Sequence, residues 1–125
     1  MILNAIPKNV RDFLLEIEKL GFRLCLVGGA VRNFLSQNTL GNDLDFEVRS
    51  VNPITDSEWE KYFSKLSEFS QLKNLKVENL PYLITRIHFD HFTLEFSSPR
   101  QEIFQAGNHQ HHNFVAKLSS SYGLS

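Results

Sequence analysis

The sequence predicts an α+β domain in which a mixed β-sheet of about five strands carries helices packed on one side. Short apolar or alternating runs, typical of strands, are interspersed with stretches whose apolar residues recur at helical spacing. Their order along the chain is helix, strand, glycine pair, helix, acidic strand and then further strands. The chain has 125 residues, of which 42% are hydrophobic and 22% charged. This is the size and composition of one globular domain.

The composition excludes several classes of protein. A formal net charge of -1 argues against a free-standing nucleic-acid binder that works by bulk positive charge. The lone cysteine, Cys25, excludes an internal disulfide framework and a cysteine-rich zinc site. No apolar run reaches the roughly 18 residues of a membrane span, and the first eight residues lack the order of a signal peptide. We therefore expect a cytoplasmic domain with no membrane partner.

The first part of the chain predicts a helix, a strand and a second helix. Residues 10–20 carry apolar side chains at helical spacing, and Gly21 follows as a stop. Residues 22–27 form a short apolar run that Gly28-Gly29 closes, which favours a buried strand. Helical spacing then resumes over residues 30–36.

An acidic strand is predicted next. Residues 38–42 are typical of a turn, and residues 43–48 alternate acidic and apolar side chains with a period of two. Such a strand has one acidic face and one core face. Asn52-Pro53 ends it.

The second part predicts one helix and three or four strands. Thr55 and Glu58 have the spacing of a capping box, from which a helix runs to about Phe69. Asp90-His91 joins two strand candidates as a two-residue hairpin loop. The predicted strands cover residues 75–77, 82–89 and 92–96, with one more short strand at 114–116.

The glycine pair between strand and helix is a candidate phosphate site. A helix start offers unpaired N–H groups and the positive end of the helix dipole. Gly28 and Gly29 let a phosphate approach that backbone closely, and Arg32 stands one turn into the helix. Alone, the pattern also fits an ordinary tight turn with a solvated arginine.

Two aspartates on the acidic strand are a candidate metal site. Asp43 and Asp45 share one face of the strand, where two like charges are unfavourable unless a cation lies between them. Carboxylate oxygens suit Mg²⁺, which shares its coordination shell with water and substrate phosphates. Alone, this pattern also fits the solvated face of an edge strand.

Together the two patterns are more specific. Gly28-Gly29-Ala30-Val31-Arg32, a turn, and then Asp43-Leu44-Asp45-Phe46 resemble the signature of the polymerase-β nucleotidyltransferase superfamily. The resemblance extends in particular to the head domain, or catalytic palm, of class II tRNA CCA-adding enzymes and bacterial poly(A) polymerases. Residues 94–102 are similar to the strand that carries a third acid in that family, and residues 111–114 to a His-x-x-Phe stretch.

The resemblance implies an RNA 3′-end nucleotidyltransferase that transfers NMP from CTP or ATP to tRNA and releases pyrophosphate. Asp43 and Asp45 would bind two Mg²⁺ ions and Glu95 would be the third catalytic acid. Glu47, on the same face as the aspartates, is the weaker candidate for that role. Gly28, Gly29 and Arg32 would bind the triphosphate of the nucleotide. The partners would be CTP or ATP and the 3′ end of an RNA, in particular a tRNA.

Several alternatives remain open at this stage. The same head occurs in poly(A) polymerases, a related small nucleotidyltransferase could carry the motif, and a palm could bind a nucleotide or a protein without turnover. The family pattern continues into an Arg-Arg-Asp-Phe-Thr motif and base-selecting and tRNA-binding helices, whereas this sequence ends at Ser125. We therefore expect residues 1–125 to be a head domain truncated before that motif, with little or no catalytic activity alone.

Overall fold

The structure, a computed structural model, describes residues 5–37, 41–50, 52–99 and 116–117. Helices alternate with strands in the first half, and strands follow one another in the second half. The elements in chain order are α1 (Lys8–Glu18), β1 (Arg23–Val27), α2 (Gly29–Gln37), β2 (Asp43–Arg49), α3 (Asp56–Leu72), β3 (Lys76–Leu80), β4 (Ile84–Phe89), β5 (Phe92–Ser97) and β6 (Ala116–Lys117).

All the described strands belong to one mixed sheet, in the order β3-β4-β5-β2-β1-β6. The β2–β5 pair is parallel, and the other neighbouring pairs are antiparallel. The α+β class and the mixed sheet are confirmed. Five strands match the predicted ones, and the two-residue β6 overlaps the short strand expected near its position.

The core lies between one face of the sheet and the helices. Alternate side chains of β2 point to this face, and Phe46 stacks on Phe96 of β5 with ring centroids 5.3 Å apart. All three helices contribute buried side chains to the same core, which confirms helices on one side. The fully buried helical residues include Leu14, Ile17 and Leu66, and those of the sheet include Leu24, Leu26, Leu44, Phe46, Ile87, Leu94 and Phe96.

Local sequence signals account for most element ends. Thr55 accepts a hydrogen bond from the backbone N–H of Glu58, whose side chain accepts from the backbone of Thr55, so the predicted capping box is present. Gly21 follows α1 with φ of 121°, a conformation that glycine adopts without steric cost. The predicted hairpin forms, with Phe89 opposite Phe92.

Several element boundaries differ from the predicted ones, most clearly those of β4 and α1. The predicted strand 82–89 begins at Ile84, because Tyr82 and Leu83 adopt left-handed φ angles of 66° and 57°, outside the extended region of a regular strand. Helix α1 starts two residues earlier than predicted, after Pro7, and ends at Glu18. Among the described residues, no helix combines the length and apolar character needed to cross a membrane.

Candidate active site

The face of the sheet opposite the core, here called the polar face, carries the acidic residues of β2. Asp43 and Asp45 project from it and are exposed. The parallel pairing of β2 with β5 places Asp45 directly beside Glu95 and Asp43 beside Thr93. The topology therefore brings the two predicted metal ligands and the predicted third acid together, although Glu95 lies 50 residues further along the chain.

These acids line one cavity of about 430 Å³, here called the acidic cavity. Strands β2, β5 and β4 each contribute two residues to it, which are Asp43, Asp45, Thr93, Glu95, Arg86 and His88. His88 lies close to Glu78 of β3, with its Nε2 in hydrogen-bond contact with that carboxylate. The cavity therefore combines three carboxylates with one permanently charged guanidinium.

The glycine turn lies beside Asp45. Strand β1 pairs with β2 so that Val27 faces Asp45, and Gly28 follows with φ of 81°. A Cβ atom added to Gly28 would lie 3.4 Å from Oδ2 of Asp45, whereas one added to Gly29 would meet nothing within 4 Å. The start of α2 thus adjoins the acidic residues, as phosphate binding by the turn requires.

Arg32 is exposed on the first turn of α2. Its backbone N–H donates to the carbonyl of Gly28 over 3.3 Å, so the helix begins at the glycine pair itself. Arg32 is not among the residues that line the acidic cavity. A contact between its guanidinium and a bound triphosphate therefore stays a prediction.

Glu47 has a different environment from the other acids of the polar face. It is only 5% exposed, and its carboxylate accepts a hydrogen bond from Nε of Arg49. In the parallel register it lies beside Ser97, two residues beyond the Asp45–Glu95 pair. The geometry therefore brings Glu95, and not Glu47, into the acidic cavity.

Desolvation by the surrounding protein raises the pKa of Asp45 above the ordinary aspartate value. The neighbouring carboxylates of Glu95 and Asp43 raise this pKa further, and Arg86 opposes them. Like charges therefore repel one another in the cavity. A cation bound there would relieve that repulsion.

The donor atoms of the cavity suit a hard divalent cation. Mg²⁺ takes one or two protein carboxylates and completes its shell with water and substrate phosphates, so Asp43 and Asp45 supply a fitting set. Within the part of the chain that the structure describes, no three acidic, histidine or cysteine side chains converge as ready metal ligands. Oε2 of Glu95 accepts two hydrogen bonds from Arg86.

Sequence reasoning did not single out Arg86, Thr93 or His88 as site residues. A signal for Arg86 was nevertheless present. A hairpin whose loop is Asp90-His91 fixes the register of its two strands, and counting back from the loop places Arg86 opposite Glu95. The predicted family segments at residues 100–102 and 111–114 lie outside the described residues.

The fold of the chain is similar to parts of solved structures of tRNA-processing enzymes. A CCA-adding enzyme in complex with CTP matches with a TM-score of 0.59 at 14% identity, over 96% of this chain and 28% of that chain. An apo tRNA-processing enzyme matches with a TM-score of 0.56 at 22% identity, over 78% of this chain and 25% of that chain.

A tRNA nucleotidyltransferase complexed with a primer tRNA and an incoming ATP analogue matches with a TM-score of 0.50 at 22% identity, over 74% of this chain and 23% of that chain. No protein-family model and no curated protein sequence matches the chain. The chain thus spans about a quarter of the length of these solved proteins. At this identity the likeness shows the fold alone, and that fold is similar to part of these solved tRNA-processing enzymes.

Proposed function

We propose that the chain is a nucleotidyltransferase domain that transfers NMP from CTP or ATP to the 3′ end of an RNA. The observation that carries the proposal is the acidic cavity, in which Asp43, Asp45 and Glu95 meet on two adjacent strands beside the glycine turn. A strand–glycine–helix turn next to paired carboxylates suits a triphosphate and its divalent cation. The fold of tRNA nucleotidyltransferases supports the same conclusion.

Asp43 and Asp45 are the proposed ligands of two Mg²⁺ ions, and Glu95 is the proposed third acid. When bound, the ions supply a lowered pKa for the attacking RNA 3′-hydroxyl and charge stabilisation for the departing pyrophosphate. The carboxylates themselves supply the negative charge that attracts the two Mg²⁺ ions to the cavity. Glu95 lies directly beside Asp45, so it can orient a group bound by either side chain.

Gly28 and Gly29 are the proposed contacts of the triphosphate. The backbone N–H groups at the start of α2 would donate to a bound anion, and the absence of side chains at the two glycines would let that anion approach. Arg32 follows one turn later and is exposed, so its guanidinium can reach a phosphate from outside the turn. None of these contacts selects a base.

We propose a tRNA 3′ end as the acceptor, because solved proteins of similar fold are CCA-adding and tRNA-processing enzymes. A poly(A) polymerase uses the same head and is the alternative within this reaction class. The net charge of -1 gives the chain little general affinity for RNA phosphates. Loss of acceptor positioning can cost about 7–11 kcal/mol of barrier lowering. We therefore expect slow turnover by the 125-residue chain alone.

Nucleotide binding is consequently the first test. Isothermal titration of the chain with ATP and Mg²⁺ should show binding that Asp45→Ala weakens by at least about tenfold, since the carboxylate holds the cation that binds the phosphates. Asp12→Ala is the matched control, because Asp12 is an exposed aspartate on α1 that pairs with Lys8. Equal affinity in Asp45→Ala and in the parent chain would contradict the proposal.

Turnover is measured with labelled CTP or ATP, Mg²⁺ and two acceptors, a tRNA that ends before its CCA and an unrelated RNA. Addition to the tRNA that Asp43→Ala abolishes would support the proposed reaction. Equal addition of AMP to both acceptors would favour the poly(A) alternative. Metal-dependent ATP binding with no addition to either RNA, even after an incubation long enough to detect the slow turnover expected of the chain alone, would favour a non-catalytic nucleotide-binding module.

A further inference from the structure

Arg86 is tightly engaged with the third acid of the cavity. The β4–β5 register places the two residues opposite each other. Nε and Nη2 of Arg86 both donate to Oε2 of Glu95, over 3.2 and 3.0 Å. Both guanidinium donors therefore converge on one carboxylate oxygen that faces the acidic cavity.

Breaking the ion pair between Arg86 and Glu95 costs little free energy. The side chains of Arg86 and Glu95 are 35% and 32% exposed, and pairs so close to water contribute little net stability. The other carboxylate beside Arg86 is Glu78, and His88 is in contact with its Oε2. Water and a long flexible stem let the guanidinium change partners without disturbing the sheet.

A cation that enters the acidic cavity must compete with Arg86. Asp43, Asp45 and Glu95 bring three negative charges, and of the described residues that line the cavity Arg86 is the one with permanent positive charge. A divalent cation that draws Glu95 toward it takes over the charge balance that Arg86 provides. The released guanidinium then lies in the same cavity as an incoming triphosphate, and its planar donors fit phosphate oxygens.

We propose that Arg86 is a stand-in cation that exchanges partners, pairing with Glu95 in the metal-free protein and with a nucleotide phosphate once a divalent cation is bound. This rests on the proposed function, since it assumes that the cavity takes a cation and a nucleoside triphosphate. According to this proposal, Arg86 has opposite effects on the affinities for two ligands. The guanidinium weakens binding of the cation alone and strengthens binding of the nucleotide that follows.

The test measures both affinities in the 125-residue chain. Mn²⁺ binding is followed by electron paramagnetic resonance of the free ion, and ATP binding by titration at saturating Mn²⁺. We expect Arg86→Gln to bind Mn²⁺ about fivefold more tightly, because a nearby positive charge is gone. The same variant should bind ATP about tenfold more weakly, because a phosphate contact is gone.

Arg49→Gln is the matched control. Arg49 lies on the polar face and pairs with Glu47, so its removal changes the net charge equally without touching Glu95. Both of its affinities should stay within about twofold of the parent values. Unchanged or weaker Mn²⁺ binding by Arg86→Gln, or unchanged ATP binding, would overturn the inference and leave Arg86 as a structural cross-strand partner.

Two further measurements keep the outcomes distinct. If the parent chain and Asp45→Asn bind Mn²⁺ equally, the proposed function itself is wrong and the inference falls with it. In the ¹⁵N-labelled parent chain, the Nε–H signal of Arg86 should shift on addition of Mg²⁺ and shift again on addition of ATP. This readout needs no variant to fold, and a signal that responds to neither ligand would contradict the partner exchange.

Discussion

The two faces of strand β2 alternate residue by residue yet differ in burial, charge and purpose. Leu44, Phe46 and Val48 are fully buried against the helices. Asp43, just before Leu44, and Asp45, just after it, are exposed on the polar face. Exposing the core face to water would be unfavourable, because its side chains are apolar. On the polar face the neighbouring carboxylates repel one another unless a cation is bound between them.

The difference separates stability from chemistry within one strand. Phe46 and its neighbours hold the sheet to the helices, so they fix where the strand lies. Asp45 depends on that placement but adds nothing favourable to it, because desolvation and neighbouring carboxylates raise its pKa. Substitutions on the core face should therefore change the free energy of unfolding, and substitutions of Asp43 or Asp45 on the polar face should change ligand affinity.

The largest effect is expected from Phe46→Ala. The side chain is fully buried and stacks on Phe96, so truncation leaves a cavity at the centre of the core. We expect a loss of about 3–5 kcal/mol in the free energy of unfolding, a large part of the roughly 5–15 kcal/mol typical of a domain. Denaturant unfolding followed by fluorescence of the single, buried Trp59 measures it.

Asp43→Asn is the matched substitution on the other face of the strand. Asp43 is exposed, so its amide replacement should change the free energy of unfolding by no more than about 0.5 kcal/mol. A loss in Asp43→Asn comparable to that in Phe46→Ala would break the comparison. It would mean that the polar face carries packing as well as chemistry.

The sequence predicts the two faces of β2 because the pattern D-L-D-F-E-V has a period of two that only a strand satisfies. It also predicts the glycine turn and the capping box, since both depend on neighbours a few residues apart. The parallel pairing of β2 with β5 is different. It joins residues 50 positions apart, and no local signal specifies that Asp45 will lie beside Glu95 rather than beside Thr93 or Ser97.

Glu95 is predicted as the third acid from the resemblance to a known family, because the local sequence pattern does not identify it. Arg86 was missed for another reason. A single arginine in the middle of a strand carries no pattern, and its importance depends on which residue the hairpin places opposite it. The predicted two-residue loop already determined that neighbour, so a register worked out from the loop would have found the pair.

An intermediate effect is expected from Gly28→Ala, which tests the glycine turn between β1 and α2. Gly28 has φ of 81°, which costs a residue with a side chain about 1–2 kcal/mol. The added methyl would also lie 3.4 Å from Oδ2 of Asp45. We expect lower stability in denaturant unfolding together with weaker binding of ATP and Mg²⁺.

Gly29→Ala is the control one residue later. Gly29 begins α2, and an added Cβ atom there meets nothing within 4 Å. Stability should be unchanged or slightly higher, because alanine is the better helix former. If the two variants lost the same stability, the left-handed conformation of Gly28 would not be what makes glycine necessary at the turn.

The smallest effect is expected from Asp45→Asn in metal-free buffer, and its sign is the informative part. Because the pKa of Asp45 is raised in the folded protein, the folded state binds a proton more readily than the unfolded chain does. This favours folding at low pH, and the advantage is lost as the pH rises through the raised pKa. At neutral pH the charged carboxylate therefore destabilises the fold, by on the order of 0.5 kcal/mol after solvent screening.

Asparagine removes that charge, so Asp45→Asn should be slightly more stable than the parent chain at pH 7. The difference should vanish below about pH 3.9, the ordinary aspartate pKa, where Asp45 is neutral in both states. Denaturant unfolding of both chains across this range, with a chelator present, measures it.

Asp12→Asn provides the contrast, since Asp12 pairs with Lys8 on α1 and its loss should be neutral or slightly destabilising. An Asp45→Asn variant that is less stable than the parent chain at pH 7 would mean that Arg86 outweighs the repulsion from Glu95 and Asp43. The polar face would then contribute to folding, against the separation of stability from chemistry argued for β2.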